Sequence, residues 1–161
     1  MFSMNAPAQD GVKIGVLNPL QALFNSDAAQ VIQQELNTEF APDQERAQQL
    51  NDELAAIAEE FQQNEAVLSD EEKRRMNSNA QDLQVQLQLI AERLQQAVQE
   101  RNQAFVQANQ QQLATAVSDV VAEGGYDLVV NSDSVPYFAP VLDITARVTA
   151  KLNENLQGAS N

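Results

Sequence analysis

The chain reads as an α+β protein, mostly α: a long antiparallel helical-hairpin arm on a small body assembled from the two chain ends. Three observations predict it. Two stretches with heptad periodicity flank a polar turn, no glycine occurs between Gly15 and Gly124, and strand-forming runs are confined to 12–18 and 126–138.

The elements follow in order. "VKIGVLN" at 12–18 alternates apolar residues between Gly11 and Pro19 and predicts a strand. "PLQALFNSD" predicts a short helix or turn, and a helix then starts near Ala28 with Ser26 or Asp27 as its N-cap. Pro42 interrupts it after Phe40, or opens a restarted helix. From there Phe40, Ala47, Leu54, Phe61 and Leu68 recur every seven residues, with Leu50, Ile57 and Asn64 in the alternate row. A second stretch repeats the pattern through Met76, Leu83, Ile90, Ala97 and Ala104, beside Ala80, Leu87, Leu94, Arg101 and Ala108. Such rows predict a coiled coil. Between them Ser69 and Glu72 have capping-box spacing, so a new helix starts there and the chain reverses. The paired part is expected to extend roughly 40–50 Å at 1.5 Å per residue.

The second helix continues through Leu113, Val117, Val120 and Val121 until Gly124 and Gly125 stop it. "YDLVVNS" follows as a strand and "SVPYF" at 134–138 as a second short one; Asp143 can cap a final helix carrying Ile144, Val148 and Leu152. A hairpin returns its two ends to one place, so the late strands are expected beside the first. Three short strands leave exposed edges, which copies of the chain would cover, and an oligomer is expected. The division that follows is a body at 12–41 plus 109–156, an arm at 42–108, and flexible ends at 1–11 and 157–161.

Composition excludes several chemistries. The chain has no cysteine and no histidine, which removes thiolate chemistry, zinc sites of the usual ligands and His-dependent triads. No acidic spacing resembles an EF-hand, no phosphate-binding loop is present, and neither a metal nor a cofactor is expected. An enzyme is the least supported class. With 23 acidic and 9 basic residues the formal charge is −14, which argues against nucleic acid and against an anionic membrane surface. The opening "MFSMNAPAQDG" lacks the apolar core of a signal peptide, which leaves a mature terminus behind a short added leader as one open reading.

"KIGVLN" at 13–18, "YDLVVNSDSVPY" at 126–137 and "LDITARV" at 142–148, bracketing a hairpin of this size, resemble the Skp (OmpH-like) family of periplasmic chaperones. The order of elements matches over nearly the whole chain, the specific motifs at its two ends. The resemblance implies a periplasmic homotrimer whose terminal strands build a small β-barrel body, burying Ile14, Val16, Leu128, Val129 and Val130. Three arms would project around a cavity that holds unfolded outer-membrane proteins without ATP. The chain departs from the family in charge. Residues 43–107 carry thirteen acidic and six basic side chains, and the family's basic stretch reads "ERNQAFVQANQQQ" at 100–112, with Arg101 its sole cation. Contact with lipopolysaccharide or membrane is therefore not expected.

Five apolar residues fall off the main seam: Val85, Leu89, Val98, Phe105 and Val106. On a two-helix hairpin they are partly exposed and available to a client, or, for Phe105 and Val106, to a neighbouring subunit. Lys73, Arg74 and Arg75 form the one basic cluster, at the arm tip, where a solvated turn and an anionic contact are both open readings. Asn64 and Arg101 interrupt the heptad rows, a pattern that more often sets register than binds a ligand. Two other functions fit the periodicity: a cytosolic arm chaperone like prefoldin, whose strands would lie between the helices, and a structural coiled coil without clients.

Overall fold

This computed structural model describes residues 11–159, and a four-residue strand, β1 (Ile14–Leu17), is the first element among them. Five helices and one further strand follow: α1 (Pro19–Phe24), α2 (Asp27–Glu39), α3 (Ala41–Asn64), α4 (Asp70–Gly124), β2 (Leu128–Asn131) and α5 (Thr145–Ala159). The class is as the sequence predicts, mostly helix with a small sheet. The chain divides into two units, one running to Val31 and resuming at Phe105, the other spanning Ile32–Ala104. Of the flexible ends expected at 1–11 and 157–161, residues 1–10 and 160–161 lie outside the described part, and α5 continues to Ala159.

In the first unit, β1 and β2 pair in parallel, Ile14 opposite Leu128 and Val16 opposite Val130. The other edge of β1 is also engaged, because Val16 O accepts from Ile144 N at 2.9 Å. Alternation alone does not set this arrangement; the backbone after Leu142 fits the vacant edge. Around the strands lies one core: Val16, Leu17, Ala22 and Leu23 from one chain end, Ala116 and Val120 from α4, and Ile144, Val148 and Leu152 from the other end. Each large side chain buried there contributes about 1.5–3 kcal/mol. Local caps fix the entries. Asn18 Oδ1 accepts from Gln21 N at 3.0 Å, and Pro19 sits in the first turn, where a missing N–H costs nothing. Ser26, not Asp27, caps α2: its buried hydroxyl accepts from Ala29 N at 3.3 Å and donates to Leu23 O at 2.6 Å.

One expected strand is absent. Residues 134–138 form no strand; Ser134 ends one 3₁₀ turn, Ser132–Ser134, and a second, Pro140–Leu142, follows. Asn131 Oδ1 takes the Asp133 N–H at 2.9 Å, and Pro136 and Pro140 have no N–H to offer a ladder. Among the described residues the sheet therefore has two strands, with a single bridge from Val16 to Asp143 in place of a third.

The end of α4 is closed as its two glycines predict. Gly125 has φ +61°, and Tyr126 N donates back to Val121 O at 3.2 Å, the long bond of a Schellman cap. A Cβ on Gly124 would stand 2.3 Å from the Tyr126 ring, so that position has no room for one. Gly125→Val places a β-branched residue in the left-handed region and should cost about 1–2 kcal/mol or more. A urea midpoint equal to that of the parent would refute this reading of the cap.

The second unit is the hairpin. Glu35 and Glu39 face Arg101, Asp43 faces Arg93, and Arg46 faces Gln86; positions rise on one side as they fall on the other, so the two sides of the helical hairpin are antiparallel. The heptad rows form its seam. Leu50 is fully buried, Leu83 is buried, and Leu54, Ile57, Phe61, Met76, Leu87, Ile90 and Leu94 are half-buried. Arg101, the polar interruption, binds Glu39 at 2.9 Å and Glu35 at 3.8 Å, which pins the register.

Candidate functional site

The five apolar residues singled out off the seam separate into three environments. Val85 and Leu89 are 55% and 59% exposed and stand one turn apart on the face of α4 turned away from the seam. Val98 is 39% exposed and lies roughly half a turn round the helix from Leu89, beside the seam. Phe105 and Val106 belong to the other unit. Phe105 is buried, and its ring packs on Phe24 with centroids 5.8 Å apart, so the expectation that it is exposed is corrected. Phe24 is eighty-one positions earlier in the chain, beyond the reach of any periodicity argument. Val106 is half-buried.

Residues that the heptad reading passed over complete the outer face of α4. Gln88 Nε2 donates to Glu92 at 2.8 Å and Gln96 Nε2 to Glu100 at 2.9 Å. Gln-to-Glu spacing of four was the available signal. A shallow cleft of about 410 Å³ runs there, lined by Leu89, Ile90, Glu92, Arg93 and Gln96. Arg93 is engaged by Asp43 across the seam.

At the turn the capping box forms as read. Ser69 N and Oγ donate to Glu72 Oε2 at 2.8 and 2.7 Å, and Glu72 N donates back to Ser69 Oγ at 3.3 Å. These bonds to Ser69, with a smaller contribution from the Arg75 charge, hold the Glu72 carboxyl below its ordinary value of 4.5. A depressed carboxyl stabilises the folded turn above its unfolded pKa, and that stability is lost as pH falls through the depressed value. The Cα chemical shifts of residues 70–73 should therefore move toward coil as pH drops below 4.5, and Glu72→Gln should flatten the transition. An unchanged titration in that variant would disprove the cause. Lys73 is half-buried and Arg74 and Arg75 are exposed; none of the three makes an ion pair among the described residues. A cleft of about 520 Å³ beside them is lined by Ile57, Leu68 and Met76 with Glu60, Glu72, Arg75 and Asp82.

In the body, Val16 is buried, Val129 and Val130 are half-buried, and Ile14 and Leu128 are 37% and 49% exposed. The outer edge of β2 has no strand beside it among the described residues. The junction of the chain ends is clamped by Tyr126, whose ring lies 4.8 Å from Lys13 Nζ and whose hydroxyl accepts from Arg147 at 2.8 Å. Lys13 Nζ also donates to Gly124 O at 2.6 Å, capping α4. Nearby, Glu123 and Glu154 hold the Lys151 ammonium and raise its pKa. Among the described residues no cluster of acidic side chains could hold a metal ion, and no helix is long and apolar enough to cross a membrane.

Comparison with known proteins bears on both units. The family described as Outer membrane protein (OmpH-like) matches residues 13–152. A Skp-like protein of Pseudomonas aeruginosa is 29% identical over 147 residues, covering 89% of this chain and 85% of that protein. Among solved structures, a candidate outer membrane chaperone (OmpH-like) from Caulobacter crescentus superposes with a TM-score of 0.52. That match covers 96% of this chain and 90% of the other at 16% identity, a likeness of fold.

Proposed function

The chain belongs to the OmpH-like outer membrane protein family, and from that membership we propose that it is an ATP-independent holdase of the periplasm. The family is one of chaperones and is not enzymatic. Its clients here would be unfolded outer-membrane proteins, kept from aggregating in a cavity between the arms of a homotrimer. One observation carries the reading: a hairpin with no globular core of its own leaves Val85, Leu89 and Val98 in solvent. Apolar side chains in that setting suit transient cover of another chain's apolar segments.

The proposed body, 12–41 with 109–156, trimerises through β-strand addition, for which the open edge of β2 and the exposed faces of Ile14 and Leu128 are the support. The proposed arm is 42–108. Its grip is apolar, with Lys73, Arg74 and Arg75 a minor cationic spot at the tip. A formal charge of −14 weighs against lipopolysaccharide and anionic lipid as partners.

Two measurements test this. Diluted from denaturant, an unfolded outer-membrane protein should stay soluble with the chain present and no nucleotide added; equal turbidity with and without it would sink the holdase reading. Native mass spectrometry should give about three times 17.7 kDa. Val130→Asp, a charge on a half-buried strand, should dissociate that species, whereas a parent that is a stable monomer would end the barrel proposal.

A further inference from the structure

The arm departs from a neutral apolar holder in its charge, and the charge has a definite place. Val85 and Leu89 form the apolar centre of the outer α4 face. Asp82 stands on one side of them and Glu92 and Glu100 on the other. Gln88 and Gln96 fix the Glu92 and Glu100 carboxylates through neutral amides, which orient them without cancelling their charge. The one cation on this stretch, Arg93, is already engaged by Asp43. An approaching chain therefore meets an apolar step flanked by carboxylates that no cation among the described residues pairs with, two of them held by glutamine amides.

We propose that this face docks client segments of net positive charge, apolar residues on Val85 and Leu89 and cationic side chains on Asp82 and Glu92. This rests on the holdase reading and names the client chemistry that the reading leaves open. Spacing narrows it further. Ten residues of helix separate Asp82 from Glu92 by about 15 Å, and an extended chain covers that distance in four to five residues at about 3.3 Å each. A segment with two Lys or Arg four or five positions apart and apolar residues between them fits. An acidic segment brings like charge to the same carboxylates and is rejected, the more so at low salt, where screening over about 10 Å is weakest.

The test uses the full chain and three labelled unstructured peptides that share their apolar residues and carry Lys, Gln or Glu between them. At about 0.02 M salt the Lys peptide should bind roughly tenfold tighter than the Glu peptide, with the Gln peptide between, and about 0.5 M salt should close the gap. Asp82→Asn with Glu92→Gln and Glu100→Gln should shrink the gap at low salt, at unchanged helix content by circular dichroism. Leu89→Ser should weaken all three peptides alike. If all three bind equally, or the Glu peptide binds best, the inference is overturned and the holdase reading stands. If the gap survives the triple variant, the assigned face is wrong. If none of the peptides binds, the holdase reading fails and takes the inference with it.

Discussion

Val148→Asp should leave the body unfolded in water at neutral pH. Val148 is 0% exposed and sits among Val16, Leu23, Ile144 and Leu152, with no cation in that core. The substitution forfeits about 1.5–3 kcal/mol of apolar burial and adds the cost of a carboxyl without a partner. A total of about 4–5 kcal/mol or more is a large fraction of the 5–15 kcal/mol that holds a typical domain. The chain offers a convenient reporter, since it lacks tryptophan and its two tyrosines, Tyr126 and Tyr137, both lie in this unit. Tyrosine near-ultraviolet dichroism should collapse in the variant. A parent-like spectrum and urea midpoint would show that α5 does not cover the strands as described.

Leu50→Ala should have the largest effect within the arm. A two-helix seam buries few residues completely, and in this unit Leu50 is at 0% exposure while Leu36 and Leu83 keep 4%. Truncating a fully buried leucine costs about 2–5 kcal/mol, the higher end applying where the surroundings cannot collapse into the space. The hairpin is thin and can partly close, so a loss of about 3 kcal/mol is expected. Amides of α3 should lose protection from hydrogen exchange by about two orders of magnitude. Protection unchanged at α3 would mean that the seam does not stabilise the helix.

Periodicity made the hairpin legible because a seam must recur every 3.5 residues, and local chemistry made its ends legible. Ser69 with Glu72 and Gly124 with Gly125 act within one turn of the positions they occupy, so their meaning is present in the sequence itself. What stayed hidden depends on distant partners. Phe105 looked exposed because Phe24, the ring that covers it, belongs to a helix read without a partner. "SVPYF" looked like a strand because β-formers dominate it, while the Asn131 side chain and two prolines settle the backbone otherwise. The outer face of α4 was half legible: Val85 and Leu89 are conspicuous as apolar residues off the seam. Their setting among amide-fixed carboxylates needed side-chain geometry.

The pairing of β1 with β2 has a consequence in time. Lys13 N donates to Asp127 Oδ2 across 114 positions, and β1 has no other strand to bind among the described residues. The hairpin, whose contacts are shorter in sequence, can zip from its capped turn within microseconds to milliseconds, while the first strand stays bonded to water until a partner 114 positions away reaches it. A copy that has not yet closed this pair is thus itself an unfolded chain with an open strand, and until β2 arrives it belongs to the class of molecule that its finished siblings are proposed to protect.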